Sequence, residues 1–321
     1  MTYRFKLTGS IAHNVRRVGL EQIELAETKL GAKDDIAAAV HDARRSLKRT
    51  RALLRLIRTG LDEALYRREA DQLSGIGRLL STARDLDVLR QTLGKLEAHA
   101  GSLPRDAGER LRKVLADGRV SGRRADAENR RQALQRLRRA KSFFAGQALS
   151  DIGLAHVVEG AGLTYRKARK FFRAAYDEPG DEAFHTWRKH VQLHWRHMLL
   201  LSRGWPEALG ARADEAREIS RLLGEDHDYA ILLDFVSERC GSVLQPKEIA
   251  PVLALCRTHQ TNLRAEARPR GERLFAEPAD NLEHRIRHYW SSAQTLAALA
   301  PPKEPAAAKP RTKKAATGRR R

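Results

Sequence analysis

Cysteines, long apolar runs and aromatic residues are all scarce in this sequence. The only two cysteines, Cys240 and Cys256, exclude a disulfide framework and a cysteine-based zinc cluster. We therefore expect a reducing, cytoplasmic location. The longest strongly apolar run covers only residues 198–201, whereas a transmembrane helix needs about 20 apolar residues. The first residues contain no apolar segment typical of a secretory signal. We thus expect neither membrane insertion nor secretion.

Acidic residues are too few to balance the basic ones. The 321 residues include 61 Lys and Arg against 40 Asp and Glu, which gives a net charge of +21 and an isoelectric point near 10.6. Aromatic residues make up 6% of the chain, while Ala, Leu, Arg and Glu are abundant. This composition favours helices over strands, and the length is typical of about two domains.

Residues 301–321 form a basic segment of Ala, Pro, Lys and Arg. It contains eight basic residues and one acidic residue, Glu304. Because such a composition buries no apolar surface, we predict a disordered tail. The tail accounts for +7 of the total charge of +21, so residues 1–300 keep +14. We therefore expect the body of the protein to face an anion, with a solvated basic surface as the alternative.

Apolar residues recur at helical spacing, and Gly, Pro and Asp separate the helical segments. No segment shows convincing alternation of apolar and polar residues, so the sequence predicts an all-α protein. Ser10 precedes the first segment and Gly31 follows it, as is typical of helix ends. The predicted helices cover about residues 10–30, 34–60, 64–98, 105–117, 124–150, 153–176, 181–203, 207–239 and 247–277.

Two stretches of the chain indicate an internal duplication. Residues 40–45 read V-H-D-A-R-R and residues 184–189 read F-H-T-W-R-K. Each motif is followed by Leu-Leu and then by an aspartate, Asp85 lying 44 residues after His41 and Asp228 lying 43 residues after His185. Two matches in register favour a duplicated helical unit. We predict one four-helix bundle in residues 1–152 and a second in residues 153–300.

The second predicted helix carries a stripe of basic side chains beside its apolar stripe. These side chains fall within an arc of about 120° and extend over about 20 Å. Asp42 is the only acidic residue inside the stretch, whereas a solvated helix normally mixes charges of both signs. An extended polyanion would relieve the repulsion. The stripe consists of His41, Arg44, Arg45, Lys48, Arg51 and Arg55.

Three further helices add candidate anion ligands. Arginine binds phosphate oxygens in a bidentate manner, lysine supplies a point charge, and a polyanion should raise the pKa of a nearby histidine. The first helix contributes Arg16 and Arg17. The predicted helix at 153–176 contributes Arg166, Arg169, Lys170 and Arg173. The helix at 181–203 contributes His185, Arg188, Lys189, His194 and Arg196.

Metal binding and catalysis find little support in the sequence. His190 and His194 have a metal-binding spacing, but Arg188 and Lys189 beside them would repel a dication. His227, between two aspartates, is the better metal candidate, with hydrogen bonding at a helix end as the favoured alternative. The phosphate-binding loop, H-E-x-x-H and G-x-S-x-G motifs are absent. We expect no bound metal, no cofactor and no enzymatic activity.

Several of these motifs, in this order, resemble the CHAD domain, the conserved-histidine α-helical domain. The resemblance covers about residues 3–292. In the first half it is carried by Y-R-F-K-L at 3–7 with V-R-R-V-G-L-E-Q-I at 15–23, V-H-D-A-R-R-S-L-K-R-T-R at 40–51 and A-R-D-L-D-V-L at 83–89. In the second half it is carried by T-Y-R-K-A-R-K at 164–170 with F-H-T-W-R-K-H-V-Q-L-H-W-R-H-M at 184–198, and by L-L-G-E-D-H-D at 222–228. R-L-F-A-E-P at 273–278 and R-I-R-H-Y-W at 285–290 are similar to the end of that domain.

The resemblance implies two pseudo-symmetric four-helix bundles with a basic cavity between them, in a stand-alone CHAD protein. It also implies binding of inorganic polyphosphate without turnover and association with polyphosphate granules. Three positions depart from the family pattern: Gln192 replaces a usual cation, Arg196 replaces an aromatic residue, and Ala168 replaces a common glycine. The ligands that the resemblance implies are His41, Arg44, Lys48, Arg51, Tyr165, Arg166, Arg169, His185, Arg188, Lys189 and His194.

Two other functions compete with polyphosphate binding. A basic protein can also bind nucleic acid, and the tail could make such nonspecific contacts on its own. Against this, no recognition helix or aromatic stacking surface stands out. A metal-dependent phosphohydrolase would need a carboxylate cluster facing the cations. The sequence does not determine the oligomeric state.

Overall fold

The computed structural model describes residues 3–32, 34–80, 85–99, 105–117, 123–240 and 244–299. In these ranges the protein is all-α, as predicted, with no β-strand. The predicted tail at 301–321 lies outside the described residues. The helices are α1 (Ile11–Gly31), α2 (Ile36–Leu56), α3 (Glu63–Leu79), α4 (Asp85–His99), α5 (Arg105–Asp117), α6 (Arg123–Ala145), α7 (Leu154–Asp177), α8 (Asp181–Leu201), α9 (Pro206–Arg239), α10 (Pro246–Leu274) and α11 (Ala279–Leu299).

Short polar side chains begin α1 and α2. The Ser10 hydroxyl accepts a hydrogen bond from the backbone N–H of His13 at 3.1 Å, which confirms the predicted start of α1. Asp35 accepts from the Ala38 N–H at 3.1 Å before α2. Such caps satisfy backbone donors that have no partner inside the helix. The starts of α1 and α2 are therefore encoded locally.

Two helix predictions need correction. The stretch predicted as one helix at 64–98 contains two helices, α3 and α4, because the helical spacing of apolar residues continues past the end of α3. Helix α11 was not predicted. Its apolar signal consists mainly of Leu282, Ile286 and Trp290, which are buried at four-residue spacing among many polar residues.

The main hydrophobic core is continuous across residue 152. It contains Leu54 and Leu56 of α2 together with Val157 and Ala161 of α7. Helices α2 and α7 approach so closely that a Cβ on Gly160 would lie 1.9 Å from the Leu56 carbonyl oxygen. The division into bundles at 1–152 and 153–300 stays a prediction, but the two halves share one core.

A second, smaller core also joins the two halves. Leu93 of α4 and Leu111 of α5 belong to one apolar cluster with Leu232 of α9 and Val252 of α10. The α4–α5 pair therefore packs on the long helices of the second half. Within the part of the chain that the structure covers, no helix combines the length and apolar character needed to cross a bilayer.

Candidate anion-binding groove

Helices α2, α3, α8 and α9 enclose a recess of about 630 Å³, which we call the central groove. Basic side chains dominate its lining, and no Asp or Glu of the described ranges lines it. The cations come from both sequence motifs, one on α2 and one on α8. Its polar lining consists of Arg44, Lys48, Arg51, Arg55, Tyr66, Ser74, His185, Arg188, Lys189, His190, Gln192, Arg196 and His227.

The groove continues past Arg44 into a smaller cavity. This cavity of about 270 Å³ shares Arg44, Lys48 and Arg51 with the central groove and adds Arg78. Burial lowers the pKa of Arg51, and the charges of Arg55 and Arg78 lower it further, although the Tyr66 phenol opposes them. Repulsion between guanidinium groups is thus built into this end of the groove, and an anion would relieve it.

At the other end of α2 the groove becomes less basic. A cavity of about 520 Å³ shares Arg55 and His190 with the central groove and adds Lys167, but Glu63 and Glu159 also line it. Arg58 there pairs with Glu63 at 3.0 Å. Within the described ranges, carboxylates thus line the cavity next to Arg58, but they do not line the central groove or the cavity next to Arg78.

Backbone and aromatic contacts hold the α2 cations in place. Arg44 Nη1 donates a hydrogen bond to the Leu80 carbonyl oxygen at 2.7 Å, at the C-terminal end of α3. The Arg55 guanidinium lies 5.9 Å from the centre of the Tyr66 ring. A cation at a helix C-terminus also complements the helix dipole. The groove cations are thus oriented before any ligand arrives.

Two stacked histidines form the α8–α9 wall. The His185 and His227 rings lie 3.8 Å apart between centroids and are nearly parallel. Burial lowers the pKa of His185, and Lys189 and Arg188 lower it further. Burial, followed by the charges of His185, Arg188 and Lys189, lowers the pKa of His227 to about 4. Both rings are therefore uncharged at neutral pH and can each donate one hydrogen bond.

His190 is a third groove histidine with a lowered pKa, and its ring contacts α7. Its ring stacks on Phe171 with centroids 4.6 Å apart. Burial, followed by the charges of Arg55, Lys167 and Lys189, lowers its pKa to about 4. A polyanion in the groove would offset the cations and favour protonation of all three groove histidines.

Arg196 lies at the floor of the central groove with only 7% of its surface exposed. Its Nη1 donates to the Gln192 carbonyl oxygen at 2.7 Å, and its guanidinium lies 4.8 Å from the centre of the Trp195 ring. Burial lowers its pKa to about 10, so it stays charged at neutral pH. Arg196 is the most deeply buried cation of the groove.

Three predicted ligands on α1 and α2 do not line the groove. Arg16 donates to the Ser150 hydroxyl at 2.9 Å, and Arg17 pairs with Glu21 at 3.0 Å. Arg45 pairs with Asp42 at 3.0 Å on the surface of α2. These arginines find partners within the folded chain, so the groove geometry gives no support to their role as ligands.

His41 lies apart from the groove as well. It lines a separate cavity of about 350 Å³, together with Asp35 and Asp87, between α2 and α4. His41 is about one helical turn before Arg44, but it does not line the central groove. The structure therefore separates His41 from the other residues of its motif.

The α7 segment serves the junction of α10 and α11 rather than the groove. The buried Tyr165 hydroxyl donates to the Glu277 carbonyl oxygen at 2.9 Å. Arg169 donates to the Phe275 carbonyl oxygen at 2.9 Å, and Arg166 pairs with Asp280 at 3.2 Å. Lys170 and Arg173 are exposed on α7 and do not line the groove.

His194 belongs to the core. It is fully buried, and its ring lies 5.3 Å from the Tyr165 ring and 6.0 Å from the Phe275 ring between centroids. The physical reason is rotation along α8, because nine residues at 100° each place His194 about 180° from His185. The motif residues of α8 therefore divide between the groove and the core.

No group of three or more His, Cys, Asp or Glu within the described ranges could hold a metal ion. His227, the metal candidate of the sequence, stacks on His185 instead. Two imidazoles beside Arg188 and Lys189 supply too few ligands for a metal ion, and the neighbouring positive charges oppose its binding.

Sequence reasoning missed several groove residues, among them Tyr66, Ser74 and Lys167. Tyr66 and Ser74 come from α3, which carries no basic motif. Lys167 lies within the recognised T-Y-R-K-A-R-K segment, yet it faces the groove extension while Arg166 and Arg169 do not. Lys167 is seven residues, or two helical turns, after Gly160, which marks the α7 face that meets α2. Because the contact of Gly160 with α2 is a feature of the structure, the sequence alone gave no signal for Lys167.

Comparisons with known proteins identify a matching family model and two solved structures of similar fold. The CHAD domain profile matches residues 17–237. PptA from Streptomyces chartreusis has a similar fold, with a TM-score of 0.57 and 14% sequence identity over 84% of this chain and 100% of that one. The CHAD domain from the plant Ricinus communis gives a TM-score of 0.51 and 18% identity over 89% of this chain and 96% of that one. At these identities the likeness concerns the fold alone. No curated protein sequence matches the chain. Since the profile covers more than half of the sequence, the chain belongs to the CHAD domain family.

Proposed function

We propose that this protein binds inorganic polyphosphate in the central groove and does not hydrolyse it. The observation that carries the proposal is the meeting of α2 and α8 cations in one recess that no carboxylate of the described ranges lines. Phosphate oxygens would replace water around these guanidinium and ammonium groups, and counterions would be released.

The shape of the groove favours a chain of phosphates over a single phosphate ion. From Arg44 to Arg55 the α2 cations extend over about 16 Å at the rise of an α-helix, and the adjoining cavity with Arg78 lengthens the basic lining. A linear polyanion can contact successive cations, whereas a single phosphate reaches only a few. Helices from a shared core hold the side chains in position, which lowers the entropic cost of binding.

Binding without turnover is proposed because the groove supplies charge but no catalytic set. Metal-assisted phosphate hydrolysis needs carboxylates to hold the metal and to position water. Carboxylates beside the groove have cation partners: Glu63 pairs with Arg58 at 3.0 Å, Glu182 with Lys189 at 3.5 Å, and Asp226 with Arg264 at 2.6 Å. Binding to long chains would bring the protein to polyphosphate granules.

A salt titration tests the proposal. Long-chain polyphosphate is titrated into the full chain at several salt concentrations, with duplex DNA as the competitor at one fixed salt concentration. We expect the logarithm of the affinity to fall linearly with the logarithm of the salt concentration, and polyphosphate to displace DNA.

Two results would contradict the proposal. Preference for duplex DNA at fixed salt would assign the protein to nucleic-acid binding instead. Release of phosphate from polyphosphate after addition of Mg²⁺ or Mn²⁺ would make it a phosphohydrolase.

A further inference from the structure

Arg196 has an unusual environment for a buried cation. With 7% of its surface exposed, its guanidinium is almost removed from water. In the described ranges it forms no ion pair with a carboxylate, and its hydrogen bond goes to the uncharged carbonyl of Gln192. Buried charges are normally paired, because an unpaired charge loses its hydration without compensation.

The neighbours of Arg196 increase this cost. After burial itself, the groups that act on it are Tyr3, Arg49, Arg188 and Arg51. Three of the four are cations. Burial raises the pKa of the Tyr3 phenol, so that group is uncharged at neutral pH. Among the described residues, no carboxylate thus pairs with Arg196 or lines the groove around it.

We propose that Arg196 forms a deep subsite that binds one phosphate group of a slender, flexible single-chain polyanion, and that this subsite discriminates against duplex nucleic acid. The inference rests on the proposed function and goes beyond it, because it assigns selectivity to one residue. A phosphate at the floor supplies the missing counter-charge, and the interaction gains strength where water is excluded.

Duplex DNA cannot use this subsite. The duplex is stiff over about 150 base pairs and carries its phosphates on the outside of a broad helix. Its phosphates can reach rim cations such as Lys189, whose side chain is 55% exposed, but they cannot enter a recess of about 630 Å³. A polyphosphate chain has no bases and can bend into the recess.

The test compares Arg196→Met with the control Arg45→Met. Both remove one positive charge and keep an unbranched side chain, but Arg45 is exposed and pairs with Asp42 outside the groove. We expect Arg196→Met to weaken long-chain polyphosphate binding at least about tenfold, the loss typical of one charge-assisted hydrogen bond. Its affinity for duplex DNA should fall no more than that of the control.

Thermal unfolding without ligand gives an independent readout. Because Arg196 is an uncompensated buried charge, Arg196→Met should raise the melting temperature at low salt while it lowers polyphosphate affinity. A residue with a purely structural role would lose stability and affinity together. Arg196→Lys keeps the charge but loses the guanidinium fork, so we expect weaker polyphosphate binding without a rise in melting temperature.

The remaining outcomes would refute either the proposed function or the deep subsite alone. If the unaltered chain does not bind polyphosphate, the proposed function fails, and this inference fails with it. If the unaltered chain binds but Arg196→Met binds equally well, only the deep subsite is refuted. Equal losses for polyphosphate and DNA, or a lower melting temperature for Arg196→Met, would also refute the subsite alone.

Discussion

Two basic regions of this protein have similar sequences but different surroundings. The α8 motif places Arg188 and Lys189 in a groove that no carboxylate of the described chain lines. The α7 segment is just as basic, but Arg166 meets Asp280 of α11 and Arg169 caps the end of α10. A run of cations therefore indicates a ligand site only where the fold gathers several cations around one recess that carboxylates do not line.

The largest expected effect concerns cations that come from both halves of the groove. We expect Lys48→Ala combined with Arg188→Ala to weaken polyphosphate binding about 100-fold, since each change removes one charged contact. Isothermal titration calorimetry measures the affinity, and circular dichroism checks that helicity is unchanged. If the double variant bound polyphosphate with unchanged affinity, the groove would not be the ligand site that distinguishes α8 from α7.

The second prediction tests the structural role of α7. Arg169→Ala leaves the Phe275 carbonyl at the end of α10 without its 2.9 Å donor. We expect a loss of about 1 to 2 kcal/mol in the free energy of unfolding, with polyphosphate affinity reduced less than threefold. Urea unfolding measures the stability. If Arg169→Ala kept full stability but lost much of its polyphosphate affinity, α7 would belong to the ligand site.

The third prediction compares histidines of the groove with those of the core. The pKa of His227 and that of His190 are both lowered to about 4, and that of His185 is also lowered, mainly by burial and then by neighbouring cations. A bound polyanion raises these values, so binding takes up protons, and affinity should increase several-fold as the pH falls from 7 towards about 5.

A matched pair of variants separates these histidines from the core. His185→Gln with His227→Gln should flatten the pH dependence of affinity. His197→Gln should leave it unchanged, because His197 is buried and bonds to the Ala52 carbonyl at 2.8 Å. Calorimetry in buffers of different ionisation enthalpy counts the protons taken up. An affinity that falls on acidification would contradict the prediction.

The same lowered pKa values also set the acid stability of the free protein. A histidine whose pKa is about 6.5 in the unfolded chain and about 4 in the folded chain binds more protons when unfolded. The free protein should therefore lose stability as the pH falls from about 6.5 to 4, while polyphosphate should protect it in that range. Melting temperatures with and without polyphosphate measure both effects.

The smallest effect is expected at Arg45. Its side chain is 57% exposed and pairs with Asp42 on the same helix. Arg45→Ala should change the free energy of unfolding by less than about 0.5 kcal/mol and polyphosphate affinity by less than threefold. A loss as large as that of the groove variants would show that net charge, rather than the groove, determines binding.

Helix starts, the all-α class and the basic stripe of α2 could be read from local patterns. The Ser10 cap predicts the start of α1, and the four groove cations from Arg44 to Arg55 follow from helical spacing. The same reasoning assigned His194 to the ligand site, whereas the structure places it in the core. Buried residues lie on several faces of α8, so the spacing of apolar residues does not show which histidine faces the core. The sequence also gives no prediction of α11, where the buried Leu282, Ile286 and Trp290 lie among polar and exposed residues.

Residue type and spacing along one helix thus account for the elements and for the supply of positive charge. Which charges remain available to a ligand depends on partners far away in the sequence, such as Asp280 for Arg166 or the α3 carbonyl for Arg44. The same holds for the buried position of Arg196 beneath the meeting of α2 and α8. Packing sets these distances and the local exclusion of water, and electrostatic interactions depend on both.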